Sequence, residues 1–194
     1  MHTGVNAIMS GAKLIEWANE MNLLNWSKSP TELDAMFDPP WTTVHVGMIE
    51  GGTAHNITAK DCLFGVDFRS VPSEDLTAWG GAYHAKAREV EAEMQAVHPE
   101  SYIEVKERFS VPALQQEPDG EAERMVRQLT GDNATHVVSY GTEAGQFQER
   151  GYSAVICGPG NIAQAHQPNE YITKDQFAAG EAFMSRLLAN LSGA

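Results

Sequence analysis

The chain reads as α/β and in two parts, and three observations predict this. Up to Phe109 the periodic segments run helix, strand, strand, helix, strand. A glycine-led stretch, "GGTAHNITAKD", joins the first two strands, as an antiparallel pair requires. After Pro112 short helices alternate with strand-like runs, the pattern of a parallel α/β layer. The first order is that of a ferredoxin-like split βαβ sandwich lacking its first strand. That strand is central in such a fold, so its loss is expected to leave backbone groups unpaired. Either the order is a different one, or the polypeptide starts part-way through a domain.

The elements follow in turn. Gly4 to Leu24 carries apolar residues at Val5, Ile8, Ala12, Ile15 and Ala18, a helix with one buried stripe. "NWSKSPTELDAMFDPP" reads as a loop with one short helical turn, closed by Pro39 and Pro40. "WTTVHVGMIEGG" alternates, with Val44, Val46 and Met48 on one face, and "CLFGVDFRSV" alternates again. Ser73 is placed to cap a long helix to about Val97, with Leu76, Trp79, Tyr83, Val90, Met94 and Val97 inward and Pro99 as its stop. "YIEVKERF" is a further strand. Beyond Pro112 come a helix from Asp119 to about Leu129, a strand-like "HVVSY", a short helix "AGQFQERG", a strand "SAVICGPG", and a last helix from Thr173 to Leu191. Thr173 with Gln176 forms a capping box for that helix.

Composition narrows the function. With 42% hydrophobic residues the chain is globular in character, and its net charge of −13 supplies no basic stripe for nucleic acid. The acidic runs "REVEAEM" and "EPDGEAE" read as solvated helix faces. No apolar run reaches the roughly 18 residues of a membrane helix. The opening "MHTGVNAIMSGAK" lacks the basic-then-apolar plan of a signal peptide, so a cytoplasmic location is expected. Cys62 and Cys157 are too few for a disulfide framework and read as buried thiols.

Candidate chemistry gathers in a few loops. His166 sits in "GPGNIAQAHQPNEY", where an imidazole is either bonded to backbone or a ligand to a borderline metal ion. The other histidines, His2, His45, His55, His84, His98 and His136, form no helical pair and no cluster with cysteine. In "SYGTEAGQF", Gly141 and Thr142 stand at the exit of a predicted strand, and Glu143 is a base or a helix N-terminal acid. Gly158, Pro159 and Gly160 make a tight turn that allows a ligand close to the backbone. Arg69 is a surface ion-pair former or a carboxylate fork, and His55 and Asn56 form a polar pair in the hairpin loop. No phosphate-binding loop, dinucleotide fingerprint or Gly-x-Ser-x-Gly elbow is present.

Taken in order, "GVNAI", "GGTAHNITA", "DFRSVP", "SYGTEAGQF" and "CGPGNIAQAHQPNEYI" resemble the di-metal amidohydrolases that include acetylornithine deacetylase, succinyl-diaminopimelate desuccinylase and aminoacylase. The pairing of "YGTEA" with the "GPG" and "QAHQPNEY" run is most similar to the acetylornithine branch. The resemblance spans Gly4 to Leu191. It implies a lid, or dimerisation, domain over residues 1–111 and the C-terminal part of an α/β zinc-peptidase-like catalytic domain over 112–194.

By the same resemblance His166 is a ligand to one of two zinc or cobalt ions. Asn56 would reach a partner subunit's active site, Arg69 would grip the substrate carboxylate, and Thr142, Glu143, Gly158 and Pro159 would line the substrate pocket. Nothing in the chain matches the family's His-x-Asp motif, bridging aspartate or adjacent glutamates, so the general base is expected upstream. In that family the metal pair activates a water and a glutamate takes its proton. The resemblance implies hydrolysis of an N-acylated amino acid, N-acetyl-L-ornithine, in arginine biosynthesis, by a homodimer joined through the lid with no nucleic acid or membrane involved. Exposed edges invite pairing, so for an association module the expected contact is the edge strand near Val44 to Met48 with the first helix. The chain by itself is expected to be inactive. The alternatives are a non-catalytic dimerisation fragment, or a related desuccinylase, aminoacylase or carboxypeptidase.

Overall fold

The computed structural model describes residues 4–193; His2 lies outside them. Helices and one small antiparallel sheet make it a mixed α/β chain. Two compact units are present, one of residues up to Ser110 with Val137–Ser139, the other of Val111–His136 with the residues from Tyr140 onward.

In the first unit the helix α1 spans Ala7–Trp26, and the Asn6 side chain caps it by accepting the Met9 N–H at 3.1 Å. Its buried residues are Gly11, Leu14, Trp17, Ala18 and Asn25. This face is rotated from the expected stripe: Ala12 is exposed and Ile8 is on the border of exposure. The cause is the contact made at Gly11, where an added Cβ would lie 3.1 Å from both Cys62 Sγ and Phe64 Cε1. A side chain at this position would require Cys62 or Phe64 to give by a few tenths of an ångström, so glycine suits the close approach of helix to sheet.

Strands β1 (Thr43–Gly51) and β2 (Cys62–Arg69) pair antiparallel, from Thr43 opposite Arg69 to Gly51 opposite Cys62. The register shifts between Val46 and Met48. That bulge reverses the alternation, so Val44 and Val46 face the helices while Met48, expected beside them, is 81% exposed. The edge of β1 also differs from expectation. Asn22 and Asn25 of α1 bond the backbone of Val44 and Thr42, so the start of this edge is closed to another strand. The stretch beyond the bulge carries no such cover from these residues.

Helix α2 (Leu76–Val97) is capped by Asp75, whose carboxylate accepts the Thr77 N–H at 2.8 Å, and not by Ser73. Ser73 instead donates its hydroxyl to Asp34, a buried carboxylate in the 3-10 turn Asp34–Met36. Tyr83, Ala87 and Val90 are the buried residues of α2, and Trp79 and Met94 pack at their margin as expected, whereas Val97 is 52% exposed. Leu14, Trp17, Ala18, Val44, Tyr83, Ala87 and Val90 form the core. Trp17, Phe68, Trp79 and Tyr83 interlock there, with the Trp17–Tyr83 centroids 5.7 Å apart and Phe68–Tyr83 at 5.9 Å. Burial pushes the Tyr83 hydroxyl up to about 12.

"YIEVKERF", expected as a strand, belongs to no ladder. Its backbone is still laid out like one: Ser101, Ile103 and Val105 are half-buried while Tyr102, Glu104 and Lys106 are exposed, and Ile103 and Val105 pack on the core. The Ile103 N–H is taken by Glu91 of α2. A strand needs a bonded neighbour, and among the described residues this segment has none.

The second unit holds α3 (Glu121–Thr130), α4 (Ala144–Glu149), a 3-10 turn (Ile162–Gln164) and α5 (Lys174–Ser192). The parallel layer expected here does not form among the described residues, for "HVVSY" and "SAVICGPG" are extended without ladder partners. Helices α3 and α5 meet, and Arg186 donates to the Leu129 carbonyl near the end of α3. Gly131 follows in the left-handed region at φ 78°, which closes α3. No residue of α5 is buried; Phe177, Met184, Leu188 and Leu191 are exposed.

Candidate functional site

In the first unit Asn56 is exposed in the loop after Gly51, beyond the Gly51–Cys62 end of the hairpin. Arg69 closes the opposite end of β2, which at about 3.3 Å per residue is roughly 23 Å away along the strand. The two are therefore not gathered into one site within this unit. Arg69 is exposed, and its Nε donates to Asp67 Oδ2 at 2.9 Å, the surface ion pair that the residue pattern allowed.

In the second unit Thr142 and Glu143 open α4. The Thr142 hydroxyl accepts the Ala144 N–H at 3.3 Å, and Glu143 occupies the N-cap without a side-chain cap bond. The position of α4 is set by Gly145, where a Cβ would fall 2.0 Å from the Pro112 carbonyl oxygen. Thus α4 lies directly on the backbone of the segment before α3.

The turn at Gly158, Pro159 and Gly160 is held by α5. Pro159 packs on Gly180, where an added Cβ would be 3.0 Å from Pro159 Cγ, and the Gly160 N–H donates to Gln176 Oε1 at 3.1 Å. Gly160 has φ 104°, which explains glycine at that position. Half of the expected capping box is present: Thr173 accepts the Gln176 N–H at 3.3 Å, while the Gln176 side chain serves Gly160.

His166 is exposed and has a left-handed backbone, φ 57°, with Asn169 close behind at 64°. Its N–H donates to Glu170 Oε2 at 2.9 Å, so Glu170 braces the loop from within. Residue pattern does not single out Glu170, although four positions from His166, in a loop with Pro168 and Asn169, it is well placed to close a turn. Nor does it single out Glu117, which stands in an acidic run that reads as solvated. The Glu117 carboxylate accepts from Ser153, from Gln148 at 2.6 Å and from the Ala154 N–H at 3.2 Å, which holds it below the usual carboxylate range. Cys157, expected to be buried, is exposed.

Among the described residues no three His, Cys, Asp or Glu side chains converge as a metal site. His166 offers one imidazole, and its neighbour Glu170 is occupied by the loop backbone. A single imidazole does not complete a metal centre by itself.

The amino-acid sequence matches known proteins. Residues 1–95 match the peptidase dimerisation domain. Acetylornithine deacetylase of Myxococcus xanthus is 30% identical over 191 residues, 98% of this chain and 48% of that protein. Those of Salmonella arizonae and Salmonella newport are 31% identical over 142 residues, 70% of this chain and 34% of theirs. The chain thus spans half or less of the curated relatives it matches. Its first 95 residues match the peptidase dimerisation domain, and the chain is acetylornithine deacetylase-like along almost its whole length.

Proposed function

We propose that this chain is part of a metal-dependent amide hydrolase of the acetylornithine deacetylase type, acting on N-acetyl-L-ornithine to release L-ornithine and acetate. The observation that carries the reading is the ordered set of motifs from Gly4 to Leu191, supported by the 98% coverage of this chain by the Myxococcus relative. In this reading residues 1–111 are the lid and 112–194 the C-terminal part of the catalytic domain. His166 furnishes one ligand to a zinc or cobalt ion, Asn56 and Arg69 handle substrate, and Thr142, Glu143, Gly158 and Pro159 line its pocket. The braced His166 loop fits that role, since its backbone is held by Glu170 while the side chain stays exposed. The setting is arginine biosynthesis in the cytoplasm; no described helix is long and apolar enough to cross a membrane.

A homodimer through the first unit belongs to the same proposal. The closed start of β1 moves the contact toward Met48–Gly51 and the exposed Ile8 and Met9 of α1. A second reading, a dimerisation module without catalysis, is favoured by the scattered donors, for no three His, Cys, Asp or Glu side chains converge among the described residues.

Zinc stoichiometry by equilibrium dialysis, with deacetylation of N-acetyl-L-ornithine measured alongside, tests the assignment. For the 194-residue chain we expect well below one ion per chain and no turnover. In the longer protein containing this sequence, His166→Ala is expected to remove bound metal and activity together. Full metal content in that variant would sink the ligand assignment, and a longer protein that cleaves only N-succinyl substrates would sink the substrate.

A further inference from the structure

Two segments of the second unit carry the pocket residues of the proposed hydrolase, and one carboxylate joins them. Thr142 and Glu143 lead into α4, while Gly158 and Pro159 follow the extended run that starts at Ser153. Glu117 belongs to neither segment. Its Oε1 accepts from Gln148 Nε2 of α4 at 2.6 Å and from the Ala154 N–H at 3.2 Å, and its Oε2 accepts the Ser153 hydroxyl. A carboxylate offers about four acceptor sites and no donor, so one half-buried side chain takes bonds from both segments at once.

The backbone around this carboxylate is fixed as well. Gln148 Oε1 accepts the Gln115 N–H at 2.8 Å, and its Nε2 donates to the Gln115 carbonyl at 2.8 Å. Ser153 Oγ in turn accepts the N–H of Ala122, in the first turn of α3, at 3.0 Å. Glu117 is thus where α4, the run from Ser153 and the start of α3 meet. The paths from it to the pocket residues are short. At 1.5 Å per residue α4 is about 9 Å long, so a shift at Gln148 carries Thr142 and Glu143 with the helix. Gly158 stands four residues past Ala154.

We infer that Glu117 is a positioning residue for substrate binding, which sets where Thr142 and Glu143 stand relative to Gly158 and Pro159. The inference rests on the hydrolase reading and adds to it a residue that itself touches no substrate. Binding geometry is sensitive to displacements of about 1 Å, so loosening this junction weakens the grip on substrate.

The first test is amide exchange in the 194-residue chain. Glu117→Ala is expected to speed exchange at least about tenfold in α4 and across residues 153–157 together. Acceleration in only one segment, or in neither, would overturn the junction. The second test is the kinetics of N-acetyl-L-ornithine hydrolysis in the longer protein containing this sequence. There Glu117→Ala is expected to raise KM at least about tenfold, with kcat within about threefold and metal content unchanged. Loss of folded protein lowers apparent kcat and leaves KM alone, so this split separates positioning from stability. Glu117→Gln keeps an oxygen for Gln148 and Ala154, and its amide can donate to Ser153 Oγ, so KM should return to within about threefold of the parent. A fall in kcat with KM unchanged would overturn the inference. So would loss of metal, or a glutamine variant as impaired as the alanine one. An inactive parent would sink the hydrolase reading and this role with it, whereas an active parent with an unaffected alanine variant would sink the role alone.

Discussion

Asn22 and Val44 bond as a strand pair would: the Asn22 Nδ2 donates to the Val44 carbonyl at 2.7 Å, and the Val44 N–H donates to Asn22 Oδ1 at 2.9 Å. One side-chain amide of α1 satisfies both main-chain groups of a residue whose side chain is 2% exposed. Asn25 extends this by donating to the Thr42 carbonyl at 2.7 Å. Replacing Asn22 by alanine leaves a donor and an acceptor of Val44 without partners. We expect Asn22→Ala to lower stability by about 1–3 kcal/mol, read as a fall in the urea midpoint at constant m-value. An unchanged midpoint would mean that water replaces the amide at no cost.

Glycines predict opposite signs by position. Gly80 and Gly81 lie inside α2, and a Cβ at either meets nothing within 4 Å. Gly80→Ala and Gly81→Ala are each expected to stabilise by about 0.5–1 kcal/mol, because alanine loses less backbone freedom in a helix. At Gly145 a Cβ would fall 2.0 Å from the Pro112 carbonyl oxygen, which no rotamer relieves. There alanine should cost about 3 kcal/mol or more, displacing α4 along with Thr142 and Glu143. Thermal melts of the three variants decide the matter.

Stability should fall in acid through Asp34. Burial alone would raise its carboxyl, but the hydroxyls of Ser73 and Thr31 outweigh this and hold it below its ordinary value. A folded-state value below the unfolded one adds stability above the ordinary carboxylate range near pH 4, and that part is lost as pH falls through the folded value. Glu74 acts with the same sign, for its bonds to Thr42, Trp79 and Lys28 outweigh its burial. Comparing urea midpoints at pH 7 and pH 3 should show the drop, smaller in Asp34→Asn. An equal drop in the variant would place the acid sensitivity elsewhere.

Dimer formation should depend on the open end of the hairpin. Met9 of α1 is 69% exposed and Met48 81%. We expect Met9→Asp, by burying a charge at an apolar contact, to weaken self-association at least about tenfold, measured by sedimentation velocity. A variant as dimeric as the parent chain would move the interface away from this face.

Much of the first unit was legible because its elements carry strong local signals. Period-2 patterns marked β1 and β2, and a long helical period bounded by Pro99 marked α2. The bulge after Val46 was not legible, for Val44, Val46 and Met48 alternate without interruption and only pairing with β2 shows the shift. The rotation of α1 escaped for a similar reason: its buried face is chosen by what Gly11 can approach, which the helix's own period does not specify. In the second unit the strand-like runs alternate with helices as a parallel layer would, but a strand exists only with a bonded neighbour. Around the candidate site, the motifs singled out His166, while its brace Glu170 emerged only from the turn that joins them.

The helices, the hairpin, the acidic character and the ordered motifs can all be read along the chain. Helices and hairpin rest on residues near one another, and the charge and motifs need no folding to be read. The tertiary structure alone decided which edge of the sheet is closed, which face of α1 is buried, and that Asn56 and Arg69 stand toward opposite ends of one hairpin. Such outcomes depend on hydrogen bonds and steric contacts between distant segments. The free energy of those contacts is set by both partners at once, and no window of sequence contains the pair.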